Sequence, residues 1–478
     1  MDYTTKIFHW IEGEERKSQT GKWFEKYNSA TGGVLIEVAR GAGQEVAEAI
    51  RAAETAFPLW TATSVEKRAE ILKKAANLLK DRKEEIAEII ALESGKPKKH
   101  AIGEAEAAAK CGLFLADQLS QFEPEKLISG IPNRELKLVR QSIGVGALIT
   151  PFNNPMAGIA WKTFPALLCG NAVVVKAHED VPYIPIWFGK ILKEAGLPAG
   201  VFNVVQGLGS EVGRLLTEDP RVKFVSFTGS AATGAKILKA TADRLAKVSI
   251  EAGGKNPLVV CDDADLEKAA SVAVSAAFVD AGQRCAAASR IIVFEKVYDE
   301  FKKLFLEKVS KLKVGTGEGD DYGAIINERR MEEILKEING AVSRGAALLA
   351  GGKRIYEKGY FIAPTVLENV DPKDQFSCKE IFGPVVALYK VKNLDEAIDL
   401  ANKSEFRLSS AIHTRDMVRA EEFIKRHLTG VVRVNGPTYG SEPHVPFGGV
   451  GLSGNGWREP GIKSLDFYSD WKQVSVDL

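Results

Sequence analysis

Residues 144–176 read GVGALITPFNNPMAGIAWKTFPALLCGNAVVVK. Two short apolar runs, VGALIT and NAVVVK, enclose a stretch over 158–170 with helical spacing of its apolar residues. Continuous apolar strands on either side of a helix predict parallel strands buried on both faces. The pattern extends downstream. GVFNVVQG, KFVSFTG and NPLVVCDDAD are further β-branched runs, separated by helical stretches at 182–195, 210–217 and 231–246. Upstream, KLVRQSIGVGALITP reads as two strands joined at Gly144. This alternation predicts an α/β fold, a parallel sheet covered by helices, with ligands at the carboxyl ends of its strands.

A second α/β region follows residue 255. SRIIVFEK, ALLAGGKR, YFIAPTVLENV, PVVALYKVK and GVVRVNGP are candidate strands, with helices over 265–279, 296–312, 328–344, 394–402 and 416–428. Ahead of both regions, SATGGVLIEVAR reads as a turn and a short strand, followed by Ala-, Glu-, Lys- and Leu-rich amphipathic helices to about residue 119. The tail KSLDFYSDWKQVSVDL reads as one alternating strand that can add to a sheet edge in this or a neighbouring subunit.

With 478 residues the chain exceeds a single core, so two or more domains are expected. A hydrophobic fraction of 45% and a charged fraction of 27% exclude a disordered chain. Lys+Arg at 64 against Asp+Glu at 63 gives +1, which offers nothing to a nucleic acid or an anionic membrane. The five cysteines are odd in number and far apart, so reduced thiols and a cytoplasmic location are expected. The N-terminus is charged throughout, unlike a signal peptide, and no apolar run is long enough to span a bilayer. The histidines form no H-x-x-x-H pair, so no metal is expected.

Several residues combine chemistry with an unusual setting. Cys285, in DAGQRCAAASR, is either a buried small hydrophobe or a nucleophile; Arg284 and Arg290 would lower its pKa only if they face it. Glu251 ends an apolar strand before Gly253-Gly254, either as a turn residue or as a general base. FTGSAATG, residues 227–234, follows a strand and opens a helix, where free N–H groups bind phosphate; Ser230 could equally be a simple cap. It is not the G-x-G-x-x-G fingerprint. Asn153 and Asn154 stand between two prolines, as a turn or with an amide aimed at an oxyanion. Lys176 and Glu179 follow NAVVV, as helix-entry charges or as ribose ligands. Glu380-Ile381-Phe382-Gly383-Pro384 sets an acid and an aromatic at a rigid turn, and PFGGVGLSG is a glycine-rich loop without chemistry of its own.

Taken together, TPFNNP, AWKTFPALLCGNAVVVKAHE, FTGSAATG, IEAGGKNP, GQRCAAASR, EIFGP, VNGP and PFGGVGLSG resemble the aldehyde dehydrogenase superfamily along nearly the whole chain. The resemblance implies two parallel-sheet α/β domains and a small β element for oligomerisation. The cofactor domain would be 1–122 with 143–254, the catalytic domain 255–456, and the oligomerisation element 123–142 with 457–478. It implies a homodimer or homotetramer. It implies that the Cys285 thiolate attacks an aldehyde, that Asn153 and the Cys285 N–H hold the oxyanion, and that Glu251 activates water against the thioester, with Lys162 linked to proton relay. Phe152, Lys176, Glu179, Gly209, Gly213, Phe227, Gly229, Ser230, Glu380 and Phe382 would hold NAD or NADP, and Trp161, Arg284 and Tyr439 the substrate.

Glu251 and the phosphate motif match hydrolytic members rather than those that acylate coenzyme A, so the expected product is a free acid. A carboxylate at Glu179 favours NAD, because it accepts from a ribose 2′-OH and repels a 2′-phosphate. Arg284, just before the nucleophile, points to a small anionic or hydroxylated aldehyde: 2,5-dioxopentanoate, succinate semialdehyde or glyceraldehyde. The alternative is a broad-range aldehyde dehydrogenase of detoxification. Ala252 where leucine is commoner, and His178 where a small residue or proline is usual, depart from the family pattern; neither His178 nor Cys378 receives a role.

Overall fold

The computed structural model describes residues 5–478. The quoted segment forms the strand Val145–Ile149, the helix Pro155–Leu168 and the strand Ala172–Lys176. The two strands lie side by side and parallel, Val145 opposite Ala172 and Ile149 opposite Lys176. They sit inside a seven-stranded sheet ordered Lys247–Ala252, Val222–Gly229, Val145–Ile149, Ala172–Lys176, Phe202–Val204, His9–Ile11, Glu14–Arg16. The first five run parallel, and the N-terminal hairpin adds antiparallel at the edge. All five residues of Ala172–Lys176 are buried, as expected of a strand covered on both faces.

The second seven-stranded sheet runs Ala347–Ala350, Thr365–Glu368, Val385–Val391, Ala288–Phe294, Asn256–Val260, Ser409–His413, Val431–Val434. All its pairs are parallel except the first. A third sheet is small and antiparallel: Ser469–Asp477, Arg134–Ser142 and Glu125–Leu127. A further three-stranded sheet of Lys6–Ile7, Val34–Ala39 and Trp23–Tyr27 closes the N-terminal end.

Several sequence readings need correction. The tail is not one strand: Ser464–Tyr468 is a helical turn, and the strand begins at Ser469. Leu465, Phe467 and Tyr468 are all fully buried there, a pattern that alternation cannot produce. YFIAPTVLENV contains a strand only over Thr365–Glu368, because Pro364 precedes it. The long amphipathic stretch after Ser64 is two helices, Val65–Asp81 and Lys83–Ser94, divided at Arg82. Ser409–His413 and the N-terminal strands before Val34 carry no strong β pattern and emerge only in the folded chain.

The glycine-rich loop after Phe447 has a structural task. Ser453 Oγ donates to the Gly253 carbonyl at 2.6 Å, and Ala252 N–H donates to the Ser453 carbonyl at 2.9 Å. Asn455 accepts from Ile250 N–H at 2.8 Å and donates to the Val248 carbonyl at 2.7 Å. The loop is thus laced along the outer edge of the strand that carries Glu251.

Candidate active site

Cys285 follows an unusual turn. After the helix Leu266–Phe278, Asp280, Ala281 and Gly282 take φ of 55°, 57° and 65° in succession. Left-handed backbone costs a residue with a Cβ on the order of 1 kcal/mol or more and persists only where the surroundings enforce it. Here they do. Asp280 pairs with His100 Nδ1 at 2.9 Å and with Arg284 Nε at 3.7 Å. The Gln283 side chain donates to the Ala324 carbonyl at 3.1 Å and accepts from Ile326 N–H at 3.0 Å. Beyond the turn, Asn256 Nδ2 donates to the Cys285 carbonyl at 2.8 Å and the Ala287 carbonyl at 2.9 Å.

The thiol itself packs with Ala286, Leu408, Phe447, Val431 and Tyr439. Burial pushes its pKa up, and the carboxylates of Glu251 and Glu380 push the same way; Arg284 opposes them. Arg290 does not face the thiol. Its guanidinium is buried and donates to the carbonyls of Lys255, Leu400 and Ala401. Three of the other cysteines, Cys111, Cys169 and Cys261, are buried as small hydrophobes. Cys378 is only half-buried.

Glu251 is buried at the end of Lys247–Ala252. Burial, assisted by the charge of Glu459 and opposed by Lys162 and Arg458, pushes its pKa up to about 7. Among the described residues no hydrogen bond reaches its carboxylate. Lys162, buried on the helix Pro155–Leu168, donates to Glu459 Oε2 at 2.6 Å and to Ser226 Oγ at 2.8 Å.

Asn153 sits past the end of Val145–Ile149, with Asn154 opening the next helix. Its backbone carbonyl accepts from Lys96 Nζ at 2.6 Å. The same ammonium pairs with Glu104 at 2.8 Å, and the other Glu104 oxygen accepts from Met156 N–H at 2.8 Å and Ala157 N–H at 3.3 Å. Glu104 therefore caps a helix other than its own and fixes the turn. The Asn153 side-chain amide has no partner among the described residues and is left to donate to a ligand.

The residues expected to hold a cofactor line the carboxyl ends of the first sheet. Lys176 and Glu179 lie 3.4 Å apart. The turn Gly209–Gly213 faces them: a Cβ on Gly209 would stand 3.9 Å from Glu179 Oε2, while one on Gly213 would meet open space. Phe227 folds its ring over Gly229. Ser230 does cap its helix, accepting from Thr233 N–H at 3.2 Å. Phe382, itself left-handed at φ 58°, meets Phe152 edge-on at 5.7 Å, and Phe152 meets His178 at 5.1 Å. His178 is therefore part of this aromatic line rather than a free surface group.

Glu380 closes the cradle. Its carboxyl lies so close to Gly253 that a Cβ there would stand 1.9 Å from Oε2. Burial pushes its pKa up to about 7, and it accepts from Gly254 N–H at 3.2 Å. A half-buried carboxyl with a single hydrogen-bond partner among the described residues, backed by glycines, fits a ligand rich in hydroxyls, as a nucleotide ribose is. Of the substrate candidates, Arg284 stacks on the Tyr439 ring at 4.1 Å, within the Cys285 cluster. Trp161 is half-buried and packs on the helical core instead.

Sequence reading missed Glu459, Ser226, Tyr468, Lys96, Glu104, Asp280 and Asn256. Glu104 and Lys96 left a trace: Glu104 falls on the buried Ala101–Ala105–Ala108 stripe of its helix, where a carboxylate needs a partner. Glu459 left none, because two of its three partners, Lys162 and Ser226, come from distant segments.

Among the described residues no cluster could hold a metal, and no helix is long and apolar enough to cross a membrane. The model of the Aldehyde dehydrogenase family matches residues 15–474. Alpha-ketoglutarate semialdehyde dehydrogenase of Haloferax volcanii is 38% identical over 472 residues, 98% of each chain. The crystal structure of an NAD-dependent aldehyde dehydrogenase from Sinorhizobium meliloti superposes with a TM-score of 0.96 at 33% identity, covering 99% of this chain and 95% of that one. An NADP-dependent enzyme of E. coli superposes with a TM-score of 0.96 at 34% identity, covering 99% and 98%. With fold, site and full-length likeness in agreement, the chain belongs to the aldehyde dehydrogenase family and is an NAD(P)-dependent enzyme of that kind.

Proposed function

We propose that this enzyme oxidises a short aldehyde with an anionic tail, 2,5-dioxopentanoate (α-ketoglutarate semialdehyde) first, to the free carboxylic acid. The observation that carries the substrate class is Arg284. It stands one residue before the nucleophile, anchored through Nε to Asp280 at 3.7 Å and laid on the Tyr439 ring at 4.1 Å. A guanidinium held by one edge and one face keeps its remaining N–H groups for a carboxylate.

Cys285 reacts as the thiolate, its proton released to water: Sγ bonds to the aldehyde carbon, and the carbonyl π pair moves to the oxygen, an oxyanion that the Asn153 amide and the Cys285 N–H stabilise. The bound nicotinamide supplies a hydride acceptor. What the chain then holds is a thioester on Cys285. Glu251 takes a proton from water, the hydroxide adds to the thioester carbon, and the thiolate leaves. Glu380 and Phe382 orient the nicotinamide ribose and ring, Ser230 meets the pyrophosphate, and Lys176 and Glu179 hold the adenosine ribose, with NAD favoured over NADP. The segments 1–122 with 143–254 form the cofactor domain, 255–456 the catalytic domain, and 123–142 with 457–478 the element through which subunits assemble.

The test is a panel of acidic, hydroxylated and neutral aldehydes with NAD and NADP in parallel. Arg284→Ala should raise KM for anionic substrates by roughly 10- to 100-fold and leave neutral ones within about threefold, the loss of one charge-assisted pair. Equal turnover of all substrates, unaltered in Arg284→Ala, would mark a broad-range enzyme.

A further inference from the structure

Four side chains close on one another beneath Glu251. Lys162 Nζ donates to Glu459 Oε2 at 2.6 Å and Ser226 Oγ at 2.8 Å. Ser226 Oγ in turn donates to Glu459 Oε1 at 2.9 Å, and Tyr468 OH donates to the same oxygen at 2.5 Å. All four are buried. Phe224 and Phe467 wall the phenol in edge-on, at 5.6 and 4.8 Å between ring centroids. The Glu459 carboxylate thus holds three donors and the Lys162 ammonium two acceptors, while Glu251 beside them holds none.

We infer that Ser226 and Tyr468 are positioning residues that, with Glu459, restrain Lys162 from pairing with Glu251 and so preserve Glu251 as a base. This rests on the proposed role of Glu251. An ammonium free to move in a dry site pairs with the nearest carboxylate, and such pairing lowers a carboxylate pKa by about 1–3 units. Glu251 would then be a hydrogen-bonded, weak base. The titratable groups that face Glu251 are Lys162 from its helix, Glu459 and Arg458 from the segment after the glycine-rich loop, and the Cys285 thiol from the nucleophile loop. Two more thiols face the network, Cys111 toward Glu459 and Cys169 toward Tyr468, and burial pushes both far up, Cys169 to about 12, so neither carries charge. The Lys162 ammonium is the one cation whose placement the network decides, since Arg458 is held separately by the carbonyls of Gly449 and Trp457.

The restraint is read in the full-length enzyme without cofactor, using p-nitrophenyl acetate. Cys285 Sγ takes the acetyl group and p-nitrophenolate leaves. Water then cleaves the thioester, releasing acetate and restoring the thiol. The burst reports acylation and the steady state reports deacylation. Glu251 acts ionised, so a lowered pKa moves the acidic limb of deacylation to lower pH. Ser226→Ala should move that limb down by about one pH unit. A weaker base should also lower the plateau, roughly two- to tenfold. Tyr468→Phe, which keeps the ring in place, should give a smaller shift in the same direction. A limb that stays put in both variants, or moves up, overturns the inference, whatever happens to rate or Tm. Glu251→Gln separates the two levels. If it leaves deacylation intact, Glu251 is not the base and both readings fall. If it abolishes deacylation while the two variants leave the limb unmoved, only the restraint falls.

Discussion

In the proposed mechanism Glu251 acts only as a carboxylate, so its place on the pH scale would govern turnover. With a pKa near 7, deacylation should fall about tenfold per pH unit below neutrality and level off above it. A pH profile of the steady state after an acylation burst checks this. Glu251→Gln should keep the burst and lose the steady state by roughly 10²–10⁴-fold. Glu179→Ala should narrow the gap between NAD and NADP, measured as the ratio of kcat/KM values, because it removes the charge that repels a 2′-phosphate. Cys285, Glu251 and Asn153 each leave two readings open in their own sequence context, and the roles proposed for them come from the resemblance of the coordinated motifs to a family. The acids that support them were not legible. Asp280 and Glu459 carry no signal of their own, since their partners His100 and Lys162 stand far away in the chain.

The helix Pro155–Leu168 illustrates how elements share the work. Its N-terminus is capped by Glu104 from another helix, the residue ahead of its cap is tied to Lys96, and its second turn presents Lys162. Lys96→Met would leave Glu104 buried and unpaired, and should cost about 3–5 kcal/mol in a denaturant titration. The helix was readable because its apolar spacing is regular. Ser409–His413 was not, since its two leading serines look like a loop; in the fold Ser410 donates to the Val431 carbonyl and the strand is buried in mid-sheet. The nucleophile turn is similar. Nothing in DAGQRC signals three left-handed residues, because the enforcing contacts are tertiary. Asn256 bridges that turn to its strand and to Ser409 N–H at 3.1 Å. Asn256→Ala should therefore lower stability by about 1–3 kcal/mol, the cost of orphaned buried polar groups, and slow acylation as well.

At the scale of the molecule, the small third sheet is the exposed one. Leu127, Ile128, Ile131, Trp471, Val476 and Leu478 are all exposed on or beside it, and grouped apolar side chains of this kind mark interaction surfaces. Trp471→Glu should reduce the assembled mass seen by light scattering while leaving the two large sheets folded. The alternating pattern of the tail made its strand visible in sequence; the helical turn before it was hidden because LDFY can alternate or coil equally well. That tail also closes the Glu251 site, since Glu459 and Tyr468 both precede the strand Ser469–Asp477. These residues leave the ribosome after every strand of both large sheets. A growing chain can thus complete both large sheets, Glu251 and Cys285 included, while the carboxylate that holds Lys162 is still unmade. Synthesis order then acts as a timer: under the proposed mechanism, a product cut short before Glu459 would leave Lys162 without its carboxylate partner and would release acyl groups more slowly than it captured aldehydes.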